Sequence, residues 1–284
     1  MDEALLSWIA AHPYLRVLAR FHAIVDEAVA AVPPRSLAPA RLDAYAPDHE
    51  AGVPLLHSPA AALDLAPAGE QLEEVVARVA EGQAPEKLRS DAAALAALLR
   101  ASPVARAEAV AFVRGAAGPG PAAEHAGLLR FLGWSTLRTA LAPVLRDYAA
   151  WREAATSTSA RGEDPWLRGD CPTCGAAPLM AQLSSIEEGH RRHLVCGCCS
   201  TSWVFRRVGC PFCGNESPDR LRVLEVEGES RLRLDTCESC GGYLKTYAGK
   251  GEERTFLADW TTLHLDVLAR ERGLKRVGTS LYDL

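Results

Sequence analysis

Apolar residues recur every three or four positions through most of the first 155 residues, the period of helices buried on one face. Leu5, Ile9, Leu15, Leu18, Phe21, Ile24, Val25 and Val29 predict one or two helices. His12-Pro13 marks the break between them, because the residue before a proline is driven out of helical geometry. Pro33-Pro34 ends the run, and a Pro- and Ala-rich connector, ordered in parts, extends to about residue 68. Gln71–Glu81 and residues 90–115 read as further amphipathic helices, the second restarting at Ser102-Pro103. Gly118-Pro119-Gly120-Pro121 is a turn. A long helix then runs from about Ala122 to Ala155 on Leu128, Leu129, Leu132, Leu137, Leu141, Leu145 and Tyr148, with Pro143 predicted to kink it. Ala and Leu, both strong helix formers, dominate throughout.

Past residue 155 the period changes. Thr156–Gly162 is small, polar and non-periodic, and reads as a linker. Short β-type runs follow at Leu179–Ile186, His193–Cys196, Ser202–Val208, Leu221–Val226, Leu232–Leu234 and Tyr243–Tyr247. One closing amphipathic helix is predicted over about Phe256 to Arg272, with Gly273 as its C-cap. The expected fold class is therefore α+β. An all-helical domain over 1–162 precedes a ribbon over 163–208 and a second ribbon, with the closing helix, over 209–284.

The ribbons are defined by cysteine. All nine cysteines lie between Cys171 and Cys240. Eight form four C-x-x-C knuckles: Cys171/Cys174, Cys196/Cys199, Cys210/Cys213 and Cys237/Cys240. Such a turn aims two sulfurs at one point, and two turns close a tetrahedron of soft ligands. The region is also an internal repeat. Cys171 to Cys210 and Cys174 to Cys213 are both 39 residues apart, and Cys196 to Cys237 and Cys199 to Cys240 both 41. Each unit opens with C-P-x-C-G and closes with C-x-x-C followed by an aromatic, Trp203 or Tyr243. The repeat favours pairing within units over a cross-braced arrangement of first knuckle with third. Two tetrahedral four-cysteine metal ions per chain are expected, iron or zinc.

A four-sulfur site has no open coordination position, so a structural or recognition role is expected rather than a metal-bound catalytic water. Redox cycling of iron, as in a rubredoxin-like electron carrier, is the alternative. Cys198 is set aside as a spare small residue or an exposed thiol. His190 and His193 lie near Cys196 but are surplus to a complete sulfur set. Asp164, Asp170 and Asp235 form no paired-carboxylate pattern, and no nucleotide-binding or nucleophile-elbow motif is present, so no catalytic residue is assigned.

Composition narrows the function further. Hydrophobic residues at 48% and charged residues at 24% describe an ordinary globular protein. The net charge of −5 argues against nucleic-acid binding by bulk electrostatics. Residues 1–165 carry 15 Lys+Arg against 20 Asp+Glu, and the remainder 16 against 16. Arg191-Arg192, Arg206-Arg207 and Arg220/Arg222 could form local basic strips, but are expected on solvent-facing strand positions, hydrogen-bonding near the thiolates. No apolar stretch is long enough to span a membrane. Met1-Asp2-Glu3 is acidic where a secretory leader would be basic, which predicts a cytoplasmic protein whose thiols hold metal rather than disulfides.

These residues resemble the formate dehydrogenase accessory protein family, FdhE. The resemblance rests on C-P-x-C-G at Cys171, on Cys196–Trp203, on the knuckle at Cys210, and on Cys237-x-x-Cys240-x-x-Tyr243-Leu244-Lys245. It continues through Ala258-Asp259-Trp260, Leu265-Asp266 and Gly273, and less specifically through His12-Pro13 and Gly52-Val53-Pro54-Leu55-Leu56. The chain departs from the family's pattern at Thr279–Leu284. The resemblance implies a helical domain joined to two rubredoxin-like ribbons, with iron at the eight cysteines. It also implies a cytoplasmic, chaperone-like maturation factor, not an enzyme. Its partner would be the catalytic (alpha) subunit of a respiratory formate dehydrogenase, bound before export. No nucleic-acid partner and no membrane insertion are expected, and a homodimer is compatible.

Overall fold

A computed structural model describes residues 3–158, 166–186 and 189–282. The chain divides into two compact units. One comprises residues 1–16, 49–54 and 156–280; the other comprises 17–48, 55–155 and 281–284.

The first helices are α1 (Glu3–Ala11) and α2 (Arg16–Ala30), separated by a 3-10 turn at Pro13–Leu15, where the His12-Pro13 break was expected. The Pro/Ala connector holds an unanticipated helix, α3 (Leu42–Glu50), and two 3-10 turns at Leu55–His57 and Pro59–Ala61. Helix α3 shows little amphipathic pattern and carries Pro47 inside it, so periodicity could not reveal it. It is held instead by Tyr45, fully buried with its ring near those of Tyr148 and Trp151.

Helix α4 (Ala66–Glu81) starts five residues before the expected Gln71, with Pro67 in its first turn, where a missing N–H costs nothing. The 90–115 stretch is two helices, α5 (Glu86–Ala101) and α6 (Pro103–Val113). Between them Ser102 is extended, and its Oγ accepts the Ala105 N–H at 3.1 Å, an N-cap with Pro103 behind it. Helix α7 (Ala126–Thr158) follows a 3-10 turn at Gly120–His125 and contains Pro143. Its Leu129, Leu132, Leu137 and Leu141 join Leu72, Val75, Val76, Leu95 and Leu99 among the buried residues of the helical unit. The expected linker begins as the last turn of α7; positions 159–162 of it, the 162/163 boundary and Asp164 lie outside the described residues.

The cysteine-bearing unit is built on β1 (Met180–Ile186), β2 (Gly189–Val195), β3 (Ser202–Phe205), β4 (Leu221–Val226), β5 (Glu229–Cys237), β6 (Gly242–Ala248) and the short β7 (Lys275–Arg276). The repeat read from cysteine spacing is visible as topology. Each half is a knuckle, an antiparallel hairpin, a second knuckle and a third strand pairing back on the hairpin. The halves fuse through parallel pairing of β1 with β6, Met180 opposite Lys245, giving the order β3-β2-β1-β6-β5-β4. Strand β7 adds in parallel beside the start of β6.

The expected closing helix is broken. It consists of α8 (Glu253–Phe256), a 3-10 turn at Trp260–Thr262, and α9 (Leu263–Glu271). Thr261 Oγ1 donates to the carbonyls of Thr255 and Ala258, and Thr262 Oγ1 to those of Ala258 and Asp259. These side chains compete with the helical ladder and turn the chain between α8 and α9. Gly273 ends α9 at φ +72°, as expected of a C′ glycine. Leu232, Leu234, Tyr243, Tyr247, Phe256 and Leu265 form the core under this layer. Helix α1 contributes to the same unit: Trp8 packs edge-on against Phe256, and its Nε1 donates to the Thr261 carbonyl at 3.0 Å.

Candidate metal centres

Each knuckle is a tight turn closed by backbone bonds. Gly175 N donates to the Cys171 carbonyl at 2.8 Å, Gly214 N to Cys210 at 3.0 Å, and Gly241 N to Cys237 at 2.8 Å. The residue after the second cysteine must turn left-handed, and three of the four are glycines with φ between +71° and +74°. At the second knuckle the position is Ser200, with φ +63°, a conformation L-residues rarely adopt.

The turns bring the eight sulfurs together in two sets, within units as the repeat predicted. Cys171, Cys174, Cys196 and Cys199 place their sulfurs within 4.8 Å of one another, and so do Cys210, Cys213, Cys237 and Cys240. In the first set Cys171 lies 3.5 Å from Cys199 and Cys174 3.5 Å from Cys196. In the second, Cys210 lies 3.8 Å from Cys240 and Cys213 3.7 Å from Cys237. A metal–sulfur bond of about 2.3 Å in a tetrahedron requires sulfur–sulfur edges of about 3.8 Å. Both sets fit a tetrahedral S₄ ion, zinc or iron, with no rearrangement of backbone. Such an ion would supply folding free energy and a fixed −2 cluster of four thiolates.

Electrostatics agree with the donor chemistry. Burial pushes the Cys171 thiol well up, and the Cys174 thiol is raised by its contacts with Cys171, Cys196, Cys198 and Cys199. Burial also opposes ionisation of Cys196, but hydrogen bonds from Cys171, Cys174, Cys198 and Cys199 hold it well below its ordinary value. In the second set burial pushes Cys210 up to about 12. For Cys237 burial is outweighed by the Cys240 and Ser239 N–H groups, which help lower it to about 7. Each set thus joins a sulfur that ionises readily to others that resist, a conflict that a bound divalent cation removes.

The surplus candidates fall outside the sulfur sets. Cys198 is buried beside the first set: its N–H lies 3.4 Å from Cys196 Sγ, and its thiol touches Cys174 and Cys196 without completing the four-sulfur group. His193 sits on β2 opposite Gln182 and Val204. The side chain of His190 lies outside the described residues. Asp170 pairs with Arg168. Asp235 accepts from Thr246, Arg233 and Arg192. Arg191, Arg206, Arg207, Arg220 and Arg222 are exposed, as expected. Arg192 is not: it is 5% exposed, and its guanidinium donates to the Gly209 carbonyl, next to Cys210, at 2.9 Å. A strand of the first ribbon thereby holds the first knuckle of the second. The backbone at Gly169 also approaches that knuckle closely: a Cβ there would lie 1.9 Å from the Pro211 oxygen.

Residue reasoning passed over a second cluster. Lys245 is 1% exposed and donates to Asp259 Oδ1 at 2.6 Å and Asp266 Oδ2 at 2.8 Å. Tyr243 OH donates to Asp266 at 2.6 Å, Arg276 to both oxygens of Asp259 at 2.7 Å, and Ser280 to Asp259. One buried cation, Lys245, and one partly exposed cation, Arg276, thus meet two buried anions, and charges in the interior are tolerable only when paired. Its signal in the sequence was the position of Tyr243 and Lys245, three and five residues past Cys240. On β6 they share one face, and that face locks the second ribbon to the closing α8–α9 segment.

Comparison with known proteins fits this geometry. Residues 170–207 match the family model described as FdhE, central domain. The chain is 29% identical over 115 residues to an FdhE homolog of Aquifex aeolicus, and 34% identical over 122 residues to one of Stutzerimonas stutzeri. Each match spans 39% of this chain; they span 41% and 37% of those relatives' own length. In fold, the chain is similar to the crystal structure of the FdhE protein from Pseudomonas aeruginosa. That match has TM-score 0.62 and 26% identity, over 98% of this chain and 93% of that one. The resemblance to FdhE thus holds in the central domain, in sequence and in fold.

Proposed function

On the premise that this is an FdhE-type chain, we propose that it is a cytoplasmic accessory factor for formate dehydrogenase maturation. It binds the catalytic (alpha) subunit of a respiratory formate dehydrogenase before export and is not itself an enzyme. The observation that carries this reading is the FdhE fold match over 98% of the chain, with both four-sulfur sets present. The chemistry supports it. A tetrahedral S₄ ion keeps no open position for substrate or water, so the centres serve to hold loops and strands in place. Rigid loops and sheet edges suit recognition of another protein. Among the described residues no helix is long and apolar enough to cross a membrane. The eight knuckle cysteines, Cys171, Cys174, Cys196, Cys199, Cys210, Cys213, Cys237 and Cys240, act as ligands of two metal ions, which the family resemblance suggests are iron.

The test is affinity purification of the tagged chain from a host growing anaerobically on formate. The catalytic subunit is expected to co-purify with it, and to be lost with a Cys210→Ser, Cys237→Ser double variant. Recovery of the chain alone, under conditions where the subunit is abundant, contradicts the reading.

A further inference from the structure

The two sulfur sets share a ligand pattern but not an environment. In the first, Cys171, Cys174, Cys196 and Cys199 are at most 5% exposed. Thr173, itself fully buried, and Thr201 close over that set, their hydroxyls 2.8 Å apart and Thr201 Oγ1 3.2 Å from Cys199 Sγ. Two fully buried tryptophans pin the chain entering the first knuckle: Trp166 Nε1 donates to the Asp170 carbonyl and Trp203 Nε1 to that of Arg168. In the second set only Cys210 and Cys237 are buried; Cys240 is half-buried and Cys213 exposed. The tips around them, Gly214, Glu238 and Ser239, are exposed as well. A cleft of about 260 Å³, lined by Cys210, Cys237, Phe212, Val223 and Arg207, opens against the same set.

Resting on the reading that both sets hold a metal ion, we propose that they divide the labour. The first centre is a fixed structural lock. The second is an exchangeable centre, open at Cys213 to an incoming thiolate. Leaving a tetrahedral thiolate site is slow when no nucleophile can reach it, and thiol exchange depends on access of the attacking sulfur. Only the second set offers that access. The exchange is redox-neutral: the incoming thiol passes its proton to the departing Cys213 thiolate, and one metal–sulfur bond replaces another. A partner bearing a surface cysteine could thus ligate the ion or remove it without disturbing the first ribbon.

The experiment uses the full chain loaded with two zinc ions and challenged with excess 2,3-dimercaptopropanesulfonate, zinc release being followed with an indicator dye. Two phases of one ion each are expected, separated by tenfold or more in rate. N-ethylmaleimide added after the fast phase should mark Cys210, Cys213, Cys237 and Cys240 and spare the first set. A brief sub-stoichiometric pulse before release should mark Cys213 first. A single phase carrying both ions, or earlier labelling of Cys171, Cys174, Cys196 or Cys199, overturns the division of labour alone. Uptake of fewer than two zinc ions overturns the metal reading beneath it.

Discussion

At the scale of single residues, backbone conformation explains the repeat more closely than cysteine spacing does. Gly175, Gly214 and Gly241 occupy left-handed positions that the C-x-x-C-G pattern marks in plain view. Ser200 occupies the fourth without the glycine, and nothing in the spacing distinguishes it. An L-residue held there costs about 1 kcal/mol relative to glycine. Ser200→Gly should therefore raise stability by about 0.5–1 kcal/mol in urea denaturation of the metal-loaded protein. His22 gives a pH signature in the helical unit. Burial, followed by the nearby Arg138, lowers its pKa from 6.5 to about 4, and its ring bonds the Tyr282 hydroxyl. The unfolded chain therefore binds more protons between about pH 4 and 6.5, and stability falls as pH drops through that window. The loss should be at most about 2–3 kcal/mol by pH 4, and His22→Gln should flatten the slope of denaturation midpoint against pH.

At the scale of elements, legibility followed periodicity. The helices with a clear apolar stripe, α2, α4 and α5, were readable, as was the hairpin-and-knuckle order of both ribbons. Helix α3 was not, because its burial depends on Tyr45 meeting residues of α7 from a distant part of the chain. The closing segment reads as one continuous helix in sequence but is broken in the structure. Its apolar spacing is helical, but Thr261 and Thr262 bind backbone carbonyls and Asp259 turns inward, and neither preference shows in a hydrophobic pattern. That inward turn produces the Lys245 cluster, whose members are distributed over β6, α9, β7 and the turns between. Removing one partner of a buried charged cluster leaves another uncompensated, at a cost of about 3–5 kcal/mol. Lys245→Met should lower the urea midpoint of the cysteine-bearing unit accordingly. A neutral or stabilised variant would show that Arg276 alone can satisfy both aspartates.

At the scale of the whole molecule, the sulfur sets were legible because two knuckles in register over a 39- and 41-residue repeat leave few other arrangements. Their surroundings were not. Strand fusion through β1 and β6, the reach of Arg192 to Gly209, and the difference in exposure between the sets all depend on contacts between residues far apart in sequence. The proposed function and the division of labour between the centres both turn on those eight cysteines being ligands. Elemental analysis of anaerobically purified protein, wild type beside Cys171→Ser and Cys213→Ser, tests this most directly. The account predicts two metal ions per chain, falling to one in each variant, with Cys171, Cys174, Cys196 and Cys199 all protected from thiol reagents in the folded wild type. A metal-free wild-type protein that folds with all nine thiols free to titrate would contradict it.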